Sequence, residues 1–131
     1  MTFQRTGYVA VILLVFVAAC GSGETAGTEF PTGRFESTAG NDHHFPLAIE
    51  FNEDGTFGFF TTPSSDVAMV EGTYSVEGSL YTESTSDYSG CPFPGTYTWA
   101  YDGQDLTFQL FEEDECAVRR SAYDGQTYTR S

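Results

Sequence analysis

Residues 95–110 read GTYTWAYDGQDLTFQL, two runs of alternating character joined at Asp102-Gly103. In an extended chain Tyr97, Trp99 and Tyr101 fall on one side, and Thr98 and Ala100 on the other. Leu106, Phe108 and Leu110 likewise oppose Thr107 and Gln109. A period of two is the mark of a strand with one buried face. Asp-Gly between two such runs signals a hairpin, because a tight turn needs positive φ at its centre.

The pattern extends outward from this hairpin. Asp54-Gly55 joins PLAIEFNE (46–53) to TFGFFTT (56–62), and Glu77-Gly78 joins VAMVEGTYSV (67–76) to SLYTES (79–84). A strand-like GRFEST (33–38) precedes them and QTYTR (126–130) follows, giving eight strands. From Phe30 onward there are eighteen aromatic residues against nine of Leu, Ile and Val. Aromatic and β-branched residues favour strands, so the chain is expected to be all-β. Consecutive hairpins with short turns predict an eight-stranded antiparallel up-and-down barrel, which removes exposed edges; a β-sandwich is the alternative. The inward face is expected to hold Leu47, Ile49, Phe51, Phe57, Phe59, Tyr74, Val76, Leu80, Tyr97, Trp99, Leu106 and Phe108. A barrel of eight strands sits where such side chains either fill the interior or leave room for one small ligand.

The amino-terminal segment differs in kind. Met1 to Ala19 carries a lone Arg5, an apolar run from Val9 through Ala18 and small residues at its end, the form of a secretory signal. About ten apolar residues are too few to span a bilayer, which takes about twenty. Val17-Ala18-Ala19-Cys20 resembles the lipobox of bacterial lipoproteins, whose cysteine receives diacylglycerol and becomes the first residue after cleavage. The resemblance implies lipid attachment at Cys20, a tether over residues 20–30 and a domain over residues 31–131. It places the domain in the cell envelope, anchored to the membrane and facing outside the cytoplasm. Gly21 to Glu29 is small and polar, as a flexible tether should be. Of the 3 cysteines, Cys91 and Cys116 then remain as a pair, and secretion permits them a disulfide.

Charge narrows the partners. There are 19 acidic residues against 5 basic ones, all arginine, for a formal charge of −14. Such a surface repels nucleic acid and anionic lipid headgroups, so no nucleic-acid partner is expected. Attachment through a lipid tail needs no basic residues.

TGRFEST, LAIEFNEDGTF, GTYSVEG, CPFPGTYTWAYDGQDLTF and DECAVRR, in that order, resemble the small bacterial lipocalin-like proteins of the calycin group. The resemblance covers Thr32 to Arg130 and is most specific from Cys91 to Arg120. It implies an eight-stranded barrel that holds a small apolar ligand or has none assigned, and it does not imply an enzyme. Larger lipocalins carry Gly-X-Trp on the first strand, with an arginine from near the end of the barrel packed across the tryptophan. Here Gly33-Arg34-Phe35 stands at that place, and Arg119 or Arg120 is the arginine expected to close the barrel over Phe35.

Signals for chemistry are sparse. Asp42-His43-His44 lacks the spacing of a metal set and is expected in an exposed loop. Glu112-Glu113-Asp114-Glu115 lacks the spaced oxygens and glycine of a calcium loop and reads as a solvated turn. No GxSxG elbow or phosphate-binding glycine loop is present. Neither catalytic residues nor a cofactor or metal is expected, and the chain reads as non-enzymatic. Two functions remain: a barrel carrying a small apolar ligand, or a filled barrel that contacts an envelope protein. A filled interior with an exposed aromatic loop between Tyr88 and Pro94 would favour the second.

Overall fold

Asp54 and Asp102 make the turns that their sequence marks. The Asp54 carboxylate accepts from the Thr56 amide (3.0 Å) and hydroxyl (2.6 Å), and Asp102 accepts from the amides of Gln104 (2.8 Å) and Asp105 (2.6 Å). Gly55 and Gly103 supply the positive φ, +82° and +98°, that a side chain would resist. The computed structural model describes residues 29–39, 44–85 and 91–131. Within them the strands are β1 (Gly33–Ser37), β2 (Ala48–Phe51), β3 (Thr56–Phe60), β4 (Val70–Glu77), β5 (Leu80–Thr85), β6 (Gly95–Tyr101), β7 (Asp105–Leu110) and β8 (Thr127–Arg130). A helix, α1 (Ala117–Tyr123), lies between β7 and β8. Every strand pairs antiparallel with the next, and β8 returns to β1, so the barrel is closed and up-and-down as the hairpins predict. The sandwich is excluded.

The interior is a stack of rings. Phe35, Ile49, Phe51, Phe57, Phe59, Tyr81, Tyr97, Leu106, Phe108 and Tyr128 are all buried, and Tyr74, Val76 and Trp99 pack against them. Leu47, half-buried, lies just before β2, with its amide bonded to Phe60 O. At the hairpin end, Phe30 enters from the segment assigned to the tether. Its ring centroid lies 5.0 Å from Phe51, 5.1 Å from Trp99, 5.3 Å from Tyr81 and 5.4 Å from Tyr74. At the opposite end, α1 drives Tyr123 inward, 4.8 Å from Phe108 and 5.1 Å from Tyr97. Each end is therefore stoppered by an aromatic ring.

Three expectations are corrected. Leu80 faces outward: it pairs with Glu77 and Thr98, while Val76 pairs with Tyr81. Opposite residues in a hairpin share a face, so Val76 and Leu80 cannot both point in across this turn. The arginine over Phe35 is Arg130, 4.8 Å from the ring centroid and also bonded to Tyr101 Oη (2.9 Å). The β8–β1 register sets Arg130 opposite Phe35, whereas Arg119 is buried and paired with Asp114 and Arg120 bonds Asp114 O. His44, expected in an exposed loop, is half-buried, its Nε2 3.4 Å from Tyr128 Oη. Met1–Ala19, Cys20, Asp42, His43 and Tyr88 lie outside the described residues.

Candidate functional site

The helix end of the barrel concentrates the polar chemistry. The disulfide Cys91–Cys116, with Cα atoms 4.7 Å apart, ties the loop entering β6 to the start of α1. Asp114, two residues before it, is 2% exposed. Its Oδ1 accepts from the Cys116 amide (2.9 Å) and Arg119 Nη2 (2.8 Å), and its Oδ2 from Arg119 Nε (2.7 Å) and Tyr97 Oη. This is a two-pronged guanidinium–carboxylate pair. Burial opposes both charges, yet the mutual bonds win: the pKa of Asp114 is lowered and that of Arg119 raised. Only glycine at position 95 leaves space for the pair, since a Cβ there would sit 2.6 Å from Asp114 Oδ2 and overlap Arg119 Nε.

Arg119 reaches further. Its Nη2 donates to Phe93 O (2.6 Å) and its Nη1 to Glu83 O (3.4 Å), so one side chain joins the surface loop to the barrel wall. The Glu83 side chain points inward and is fully buried. Thr85 donates to its Oε1 (3.2 Å) and Tyr81 to its Oε2 (3.1 Å), and the Tyr81 and Tyr123 hydroxyls lie 2.9 Å apart. Burial pushes its pKa up to about 7, against the opposing pull of Tyr123, Arg119, Tyr81 and Thr85. Burial, with the Glu83 charge behind it, raises Tyr81 and Tyr123 well above the usual tyrosine range, so both remain neutral donors.

Above this network lies a surface pocket of about 240 Å³, between the disulfide and Phe93 on one side and Glu113 and Glu115 on the other, with Arg119 at its base. Phe93 is 66% exposed. Phe111 is 52% exposed and follows β7, its amide bonded to Thr96 O (3.2 Å). The pocket offers an aromatic ring beside carboxylates, the surroundings that suit a cationic side chain with an apolar stem.

The structure gathers the candidate lining residues, apart from Leu80 and the peripheral Leu47, into one aromatic interior. The acidic run 112–115 divides: Asp114 is buried, while Glu112, Glu113 and Glu115 are exposed. Sequence reasoning missed Glu83, Tyr81, Tyr123 and Phe30. The signal for the first two was the alternation Tyr81, Glu83, Thr85, set against the pull of Leu80 in the other phase. Among the described residues no group of three or more His, Cys, Asp or Glu is placed to hold a metal ion. No protein-family model, curated protein or solved structure matches the chain.

Proposed function

We propose that this chain is a lipocalin-like envelope lipoprotein, anchored through Cys20, whose filled barrel acts as a rigid platform for contact with a basic protein partner. The observation that carries this reading is the contrast between interior and rim. Rings fill the barrel from Phe30 to Tyr123, while Phe93 stands exposed on a disulfide-braced loop. A carrier would need Phe30 or Tyr123 to vacate its place. The charge of −14 steers a basic partner, and exposed aromatic residues of this kind serve as interface anchors. Arg130 over Phe35 supports the lipocalin-like assignment. The Val17–Cys20 motif supports the anchor.

The test is a titration of the mature chain against basic proteins, lysozyme among them, at low and high salt. Binding should weaken with salt and fall at least about tenfold in Phe93→Ala, as for an interface anchor. Binding indifferent to Phe93 overturns the reading. So does a saturable change in Trp99 emission on adding fatty acid, which would identify a carrier.

A further inference from the structure

We propose that Glu83 is a proton switch for the helix end of the barrel: protonated it seals α1 over the interior, and ionised it releases α1 together with the Phe93 loop. Among the described residues, this end of the interior holds two buried carboxyls, Glu83 and Asp114, and one buried guanidinium, Arg119. Arg119 is committed to Asp114 through two bonds and to backbone oxygens of Phe93 and Glu83 through two more. With Glu83 protonated the cluster is neutral. Ionising it leaves one buried negative charge with no cation of its own, which is costly in a low-dielectric site.

The groups that face Glu83 offer little relief. Tyr74 lies opposite it on β4, Tyr81 and Thr85 flank it on β5, Tyr123 of α1 bonds it, and Tyr97 (β6) and Tyr128 (β8) surround it at longer range. All are hydroxyls, and burial favours the neutral form of each tyrosine. Arg34 lies on the outer face, bonded to Glu50, Arg120 is exposed, and Arg130 is at the hairpin end. His44, beyond Tyr128, has its pKa lowered by burial, which favours its neutral form.

Water must therefore reach the carboxylate, and α1 is the weakest cover. Each strand is held by a neighbour on both sides. The helix has 7 residues, no side-chain cap at its start, and packs on β7 alone among the principal element contacts. Its Tyr123 hydroxyl bonds the Glu83 carboxyl and the Tyr81 hydroxyl, and its Arg119 guanidinium bonds Glu83 O, so lifting the helix opens the site directly. Because Arg119 also holds Phe93 O, the loop loses that bond with it and stays tethered to α1 through the Cys91–Cys116 disulfide. The switch is independent of any partner.

The sign follows from linkage. The folded pKa of about 7 lies above the reference 4.5, so the sealed state is fully favoured below about 4.5 and loses ground as pH rises through about 7. The experiment is amide exchange on the intact mature chain, expressed as protection factors corrected for intrinsic rates, between about pH 5.5 and about pH 8. The amides of Arg120 and Asp124, bonded within α1, should lose roughly thirtyfold in protection, since the opening equilibrium shifts about tenfold for each pH unit between about 5.5 and about 7 and levels off above. The Arg130 amide at the hairpin end, bonded to Gln104 O, should not. In Glu83→Gln, which keeps an acceptor for Tyr81 but cannot ionise, α1 protection should be flat. The protection loss should level off at the pH where a carbon-detected titration of Glu83 in the wild type shows it ionising. Loss that persists in Glu83→Gln, loss shared by every strand, or α1 protection unchanged while Glu83 ionises overturns the proposal.

Discussion

Replacing Arg119 by methionine removes the guanidinium but preserves much of the apolar stem. Asp114 then keeps only the Tyr97 hydroxyl and the Cys116 amide at 2% exposure, and Phe93 O and Glu83 O lose their donor. Leaving one member of a buried pair uncompensated costs about 3–5 kcal/mol, a large part of the 5–15 kcal/mol that holds an ordinary domain together. Urea unfolding of wild type, Arg119→Met, Asp114→Leu and the double variant would read the coupling directly. The double variant should be more stable than Arg119→Met, because no lone carboxylate remains. It should stay below the wild type by about 1–3 kcal/mol for each polar partner left unsatisfied. Arg119→Lys should fall between them, keeping charge but losing the fork. The transition slope should not change if the surface exposed on unfolding is the same. An Arg119→Met variant within about 1 kcal/mol of wild type, or single-variant losses that simply add, would refute the reasoning that Arg119 and Asp114 are coupled as a buried pair.

Other outcomes follow from the same geometry. The burial-raised pKa of Glu83, about 7 against 4.5, should destabilise the sealed helix end by roughly 3 kcal/mol as pH rises across that interval, and a difference curve of α1 amide protection against Glu83→Gln isolates the effect. Asp114, its pKa lowered, acts oppositely: its stabilisation is present above the ordinary carboxylate range and is lost on acidification, which Asp114→Asn would reveal in acid titration. Converting Cys91 and Cys116 to serine opens a 25-residue interval and should cost about 3 kcal/mol by loop-closure entropy, measured by thermal or urea unfolding without reductant. Cys20→Ser should shift the protein from the detergent-soluble membrane fraction to the soluble envelope fraction or medium. A wild type with an unmodified amino terminus would rule out the anchor.

The amino-acid sequence by itself determined the hairpins, because their causes are local. An Asp-Gly turn needs only its own carboxylate and positive φ, and strand alternation depends on neighbours two residues away. Disulfide pairing was legible from cysteine count, and the run from Ile49 to Phe59 was read correctly because all its strong apolar residues share one phase. The tertiary structure decided the rest. Leu80 and Glu83 exchange the faces that polarity alone would give them because pairing with β4 and β6 fixes the phase of β5. Arg130 stands over Phe35 through the closure of β8 on β1, a pairing 95 residues apart in sequence that no local pattern encodes. The helix AVRRSAY is too short to hold itself in water and lacks a capping side chain. It forms where Cys91 anchors its start and the inward Arg119 and Tyr123 find partners already placed by the barrel. The buried carboxyls were illegible for the same reason: their environment is assembled from β5, β6 and α1, and only closure brings those elements together.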